Sequence, residues 1–154
     1  MRVVKVQEAD FDVGELTRSL GAGRTDVGAV STFTGLVRGA SDGVEAMTLE
    51  HYPGMTEKAL TDIVERAEAR WHLTGVIVIH RIGTLAPGEQ IVYVGVGSAH
   101  RGEAFAACEF IMDFLKTRAP FWKKEQTPEG GRWVDARDAD ESAAARWEDV
   151  EQRR

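Results

Sequence analysis

The sequence predicts an α+β fold, and three observations carry that prediction. Short apolar runs rich in β-branched residues recur along the chain, the mark of strands. Two long segments repeat apolar residues at spacings of three and four, the mark of amphipathic helices. The two kinds of element mix without regular strand–helix–strand alternation, so α+β is the better class. A chain of 154 residues is expected to form one domain, 1–154, long enough to bury a substantial core.

The elements follow in order. Val3, Val4 and Val6 form a short first strand. Asp12 can cap a helix running to about Leu20, with Gly21 and Gly23 stopping it. Val27 to Val37 is β-branched and apolar, hence a strand. RGASDG, from Arg38 to Gly43, is a flexible loop by composition. Val44 to Tyr52 returns as a strand, with Ala46 and Thr48 on the side opposite Met47 and Leu49. Pro53 opens a long helix whose apolar stripe is Met55, Ala59, Leu60, Ile63, Val64, Ala67 and Trp71. Val76 to Ile79 is a buried-type strand. Ala86-Pro87-Gly88-Glu89 is a turn, and with the strand Ile91 to Val96 it suggests a hairpin. Arg101 to Arg118 is helical, with Phe105, Cys108, Ile111, Met112 and Leu115 on its inner face. Pro120 ends that helix, because the residue before a proline avoids the α region. Phe121 to Gln126 is extended, Pro128 to Gly131 a turn and Arg132 to Val134 another strand. Glu141 to Glu151 forms a terminal helix.

Composition narrows the function. The net charge is −6 and the pI about 5.3, which argues against general nucleic-acid binding, since that usually needs a basic face. One cysteine can form no internal disulfide and build no zinc site alone. No apolar run approaches the roughly 20 residues that span a bilayer. The N-terminus, MRVVKVQEADF, lacks the apolar centre of a signal peptide. The expectation is a soluble cytoplasmic protein.

Against this acidic background, three of the five lysines fall within nine residues: Lys116, Lys123 and Lys124, in LKTRAPFWKKE. Elsewhere the chain prefers arginine. Arginine is a permanently charged fork, whereas lysine can exchange a proton or attack a carbonyl. The stretch from Lys116 to Lys124 also holds Arg118 and no acid. A local positive site on an acidic body suggests an anionic ligand or an anionic partner tail. Phe121, Trp122 and Trp133 flank the lysines, and aromatic walls strengthen anion binding by lowering the local dielectric. Each lysine alone has an ordinary explanation. Lys116, in a last helical turn, complements the helix dipole; Lys123 and Lys124 suit a solvated strand face.

Other candidates are less specific. Ser98-Ala99-His100-Arg101 lies where a strand meets a helix N-terminus, whose free N–H groups suit an anion. The alternative there is a capping histidine and a surface arginine. Arg38 begins a glycine-rich loop and can reach a phosphate. His80-Arg81 sits inside a strand, where a structural role is favoured. Cys108 lies on an apolar helix face and reads as core. His51, His72, His80 and His100 show no metal-ligand spacing, and the chain has no P-loop, GxGxxG or GxSxG.

Taken together, FTGLVR, LEHYPGMTEKAL, VIHRIGTLAPGE, VGVGSAHRGEAF, IMDFLKTRAPFWKKE and TPEGGRWVDAR resemble the large, catalytic subunit of molybdopterin synthase. The resemblance runs from about Val27 to Trp147, and SAHR followed by LKTRAPFWKKE is its most specific part. The first 26 residues match least distinctively. It implies a sulfurtransferase that converts cyclic pyranopterin monophosphate into molybdopterin by adding two sulfurs as a dithiolene. The sulfur arrives as a thiocarboxylate on the C-terminal Gly-Gly tail of a small ubiquitin-like partner. Two large subunits form a central dimer with a small subunit at each outer end. The implied fold is an α/β hammerhead-like core with an additional antiparallel β part. No metal or other cofactor is implied, because the partner supplies activated sulfur.

By motif, Lys116 and Lys123 match the family's catalytic lysines. Leu36, Val37 and Arg38 in GLVR, and His100 with Arg101 in SAHR, match positions that hold the pterin phosphate. Lys124 and Glu125 extend the second lysine motif and line the same pocket, and Arg137 in VDAR belongs to the same anionic site, reached from the other protomer. The catalytic motifs show no departure. Three rivals stand beside this reading: a lysine Schiff-base enzyme acting on a phosphorylated carbonyl compound, a non-catalytic module docking an acidic tail, and, more distantly, an RNA-binding protein.

Overall fold

Strands that bury both faces need cover on both, and this governs the larger of two four-stranded sheets. The computed structural model describes residues 1–39, 45–128, 130–134 and 138–152. The elements are β1 (Arg2–Gln7), α1 (Val13–Ser19), β2 (Ala29–Leu36), β3 (Ala46–His51), α2 (Met55–Arg70), β4 (Leu73–Arg81), β5 (Gly83–Leu85), β6 (Gln90–Ser98), α3 (Arg101–Arg118), β7 (Phe121–Thr127), β8 (Gly130–Val134) and α4 (Asp138–Gln152).

The first sheet has the order β1-β4-β6-β2; β1 runs parallel to β4 and the other pairs are antiparallel. On β4, Val76 and Val78 face α2 and α3, while Ile77 and Ile79 face α1. The helix-covered side holds the main core, with Leu60, Ile63 and Val64 of α2 packed against Ala107, Ile111 and Leu115 of α3. Each of the leucine, isoleucine and valine side chains contributes about 1.5–3 kcal/mol on full burial. On the other side Tyr93 lies across Gly95, where an added Cβ would stand 2.6 Å from its Oη, and that hydroxyl meets Thr17 Oγ1 at 2.9 Å. The second sheet, β5-β3-β7-β8, is antiparallel throughout and supplies the additional β part. The α+β class is thus borne out. No helix among the described residues is long and apolar enough to cross a membrane.

Most elements match the expected ones, including the Asp12 cap, whose carboxylate accepts from Glu15 N at 3.0 Å. Four details differ. Met55 is 60% exposed, and Thr56 takes the buried place in the first turn of α2. Phe105 is 63% exposed. It falls at the edge of the α3 stripe, which is shifted toward Phe110 and Phe114 by the packing of α2 and Trp147 against them. The expected hairpin is β4 with β6, but its connection contains β5, which leaves to pair with β3. Gly130 and Gly131 belong to β8, not to a turn.

Candidate active site

Lys116 and Lys123 both come close enough to His80 to act on its charge because α3 stops where it does. Ala119 is extended, at φ −84° and ψ 130°, as the position before Pro120 requires. Thr56 Oγ1 donates to the Pro120 carbonyl at 2.9 Å and ties the break to the start of α2. The chain then turns into β7 beside β3, with Phe121 opposite His51 and Lys123 opposite Leu49. Side chains alternate along a strand, so Phe121, Lys123 and Glu125 share the inner face. Trp122 and Lys124 take the outer one, where Lys124 Nζ stands 5.7 Å from the Trp133 ring centre. Lys123 and Glu125 are half-buried, and Lys116, in the last turn of α3, is exposed.

His80 closes the inner end of this group. It shares a face of β4 with Val76 and Val78, is 4% exposed, and stacks on Phe121 with ring centres 3.8 Å apart. Its Nδ1 lies 2.8 Å from the Arg81 carbonyl. Burial above all, with Lys123, Lys116 and His51 acting the same way, pushes its pKa down to about 3. At neutral pH the ring is uncharged. The expected structural role fits its neighbour Arg81, whose guanidinium donates to the carbonyls of Glu8 and Gln90 at 3.0 Å each. It misses that His80 lies within electrostatic reach of both lysines. The only sequence signal was a histidine in register with the inner-facing valines of its strand.

Arg38 is held at the same end of the fold by a backbone clamp. Val37 N donates to the Glu89 carbonyl at 2.8 Å, and Gly88 N donates to the Val37 carbonyl at 2.7 Å. Gly39 lies so close to Pro87 that an added Cβ would stand 2.7 Å from its Cβ. Glu89 is fixed in turn by Ala86 N and lies 3.6 Å from the Arg81 guanidinium. Val37 is buried and its N–H is already donated, so it anchors the loop; Leu36 and Arg38 on either side are exposed. Leu85, next to the clamp, pairs with Met47, which pairs with Glu125 on its other side. Of the loop Arg38 to Gly43, residues 40–43 lie outside the described residues.

His100 and Arg101 are at the opposite end. His100 occupies the N-cap position of α3, but its side chain makes no capping hydrogen bond. The local anchor is Ser98, whose hydroxyl donates to the His72 carbonyl at 2.8 Å. Both His100 and Arg101 are exposed. From Arg101 to Lys116 the helix rises roughly 22 Å, at about 1.5 Å per residue. The strands agree: Ala29 pairs with Ser98 at one end of the β2–β6 ladder and Leu36 with Gln90 at the other. One chain therefore carries two separate cationic poles, one with Arg38, Lys116 and Lys123 and one with Arg101, beside which His100 lies. Arg137 lies outside the described residues.

Two other features do not suit the chemistry of an anion site. Cys108 is buried, and desolvation pushes its thiol up to about 11, so it holds no thiolate at neutral pH. A cleft of about 460 Å³ is lined by Glu50, His51, Tyr52, Pro53, Trp122 and Trp133. Its walls hold a carboxylate and no lysine or arginine, which does not suit an anion.

Comparison with known proteins gives the family. The family model described as MoaE protein matches residues 6–118. The molybdopterin synthase catalytic subunit of Ralstonia nicotianae is 62% identical over 149 residues, covering 96% of this chain and 85% of the relative. The subunit of that name from Escherichia coli is 63% identical over 139 residues, covering 89% and 92%. Among solved structures, the molybdopterin biosynthesis MoaE protein from Burkholderia ambifaria superposes with a TM-score of 0.82 at 53% identity, covering 96% of this chain and 98% of that one. On the match of its family model and the extent of these identities, the chain belongs to the MoaE protein family.

Proposed function

We propose that this chain, as one domain over 1–154, is the catalytic subunit of a cytoplasmic molybdopterin synthase. It moves sulfur from a small ubiquitin-like partner, bearing a C-terminal Gly-Gly thiocarboxylate, onto cyclic pyranopterin monophosphate. The observation that carries the reading is that Lys116 and Lys123, from two different elements, both act on the charge of the buried His80, which stacks on Phe121. Its support in kinship is the set of relatives named as catalytic subunits at about this length.

The chemistry needs cations in a sheltered place. The thiocarboxylate sulfur bonds to a pterin carbon, giving an acyl–sulfur link between partner and substrate. Water then cleaves that link, leaving sulfur on the pterin and an ordinary carboxylate on the partner tail. A second thiocarboxylate supplies the second sulfur; each new carbon–sulfur bond replaces a carbon–oxygen bond, one to the cyclic phosphate, which opens, and one to an oxygen that leaves as water. Each cleavage develops an oxyanion and moves protons, tasks for positioned ammonium groups. Arg38, clamped beside the turn 86–89, would take the phosphate, with Leu36 and Val37 shaping its loop. Glu125 shares the face of Lys123, while Lys124 lines the opposite one.

His100 and Arg101 are too far from Lys116 in one chain to act on the same small substrate. In this proposal they belong to the pocket of a second copy, as does Arg137, and the working unit is a central homodimer within a heterotetramer. The experiment is reconstitution of the purified chain with thiocarboxylated partner and cyclic pyranopterin monophosphate. Molybdopterin should form; a chain that binds both and yields no dithiolene defeats the proposal.

The clamp makes its own prediction. A Cβ at Gly39 collides with Pro87 and shifts the neighbouring Arg38. Gly39→Ala should raise KM for the pterin roughly tenfold and leave kcat within about twofold, since a binding group is displaced and the lysines are not. Steady-state kinetics at saturating partner checks this. An unchanged KM would free Arg38 from the clamp.

A further inference from the structure

His80 is a buried titratable group that the sulfur-transfer scheme above leaves without a task. Its neighbours come from three other elements: Lys116 from α3, Lys123 from β7 and His51 from β3. Its strand neighbour Arg81 turns its guanidinium to the other face of the sheet, toward Glu8 and Gln90. A carbonyl oxygen only accepts, so the 2.8 Å contact with the Arg81 carbonyl requires the proton to sit on Nδ1. The neutral ring then carries its lone pair on Nε2. Phe121 stacks flat on the ring, at 19° between planes, and fixes its orientation. The result is a rigid neutral acceptor among ammonium groups, in a place where a third cation would repel both.

We propose that His80 is a positioning residue for the lysine pair. Its Nδ1–H anchors the ring on the Arg81 carbonyl, and its Nε2 accepts a hydrogen bond from a lysine ammonium. The bond holds that lysine in one orientation and favours its protonated form, because a hydrogen bond made to the charged state stabilises that state. The buried histidine adds no charge of its own, so the pocket keeps its cations for phosphate and oxyanion. This inference rests on the lysine roles proposed above, and the test separates the two.

Two variants divide the ring's functions. His80→Asn keeps an amide donor near Nδ1 and has nothing at Nε2. His80→Gln carries an amide oxygen out to the Nε2 position. His80→Asn should lower kcat about ten- to a hundredfold, the usual weight of one hydrogen bond to a charged group, with KM within about twofold. The rate of reductive methylation at Lys116 or Lys123, followed by peptide mass spectrometry at fixed pH, should rise several-fold in the same variant. His80→Gln should restore most of both. Methylation rates equal to wild type in His80→Asn, or an Asn variant more active than the Gln one, would overturn the proposal and leave a purely structural ring. Faster methylation with normal turnover would uphold it and remove the lysines from the mechanism instead. Independently of any variant, ¹⁵N NMR of the wild-type ring should show Nδ1 protonated and Nε2 as a hydrogen-bonded acceptor; a protonated Nε2 ends the proposal.

Discussion

Lys123→Ala is expected to slow dithiolene formation by about a hundred- to ten-thousandfold, the range for losing a positioned acid–base or oxyanion-stabilising group. Lys123 is half-buried opposite Leu49, itself 1% exposed, and shares its face with Phe121. An ammonium against such walls acts on an oxyanion through a lower dielectric than water offers. Lys116→Ala should also be severe, though less so, because Lys116 is exposed and its charge is better screened. Lys123→Arg should fail to rescue: a guanidinium keeps the charge but neither the compact shape nor the exchangeable proton. Single-turnover rates with pre-made thiocarboxylated partner check all three, with thermal melts to establish folding. Neither replacement opens a core cavity, so Tm should stay within a few degrees. Near-normal turnover in both alanine variants would take the lysines out of the reaction.

The parts of this site that depend on local rules were legible in the residues. Helix spacing from Arg101 to Arg118 and the stop at Pro120 are written in periodicity and in the geometry before a proline. That same helix already fixes Arg101 and Lys116 at opposite ends, so the two-pole layout was readable in principle from the element boundaries. Phe105 marks where periodicity runs out. The buried arc of α3 is set by α2 and Trp147 as well as by the sheet, and no count along α3 reveals that. His80 is the clearest case of non-local control. Nothing near it signals chemistry; its position depends on Phe121 stacking on it and on Thr56 holding Pro120. The assignment of substrate and partner came from resemblance across whole motifs. Charge alone pointed only to an anion.

The sharpest consequence of the two-pole layout is complementation between dead variants. In the proposed dimer, each pocket takes Arg38, Lys116 and Lys123 from one copy and His100 and Arg101 from the other. Arg101→Ala and Lys123→Ala are each expected to inactivate the homodimer, because both pockets lose a group. In a mixed dimer the two defects fall in one pocket, and the other is assembled from intact halves. Random pairing in a twofold-symmetric dimer makes half the dimers mixed, so about a quarter of all pockets should work. Co-expression under two tags and isolation of the doubly tagged species should give about half the wild-type activity per dimer, by the same symmetry. Arg38→Ala with Lys123→Ala is the control pair. Both belong to one pole, held there by the clamp on Val37 and by the pairing of β5, β3 and β7. Every pocket of that mixture carries a lesion, and activity should stay at the level of the single variants. Rescue in the first pair and none in the second locates the catalytic pocket across two copies. Silence in both puts every cation in a single chain, against the helix that separates them.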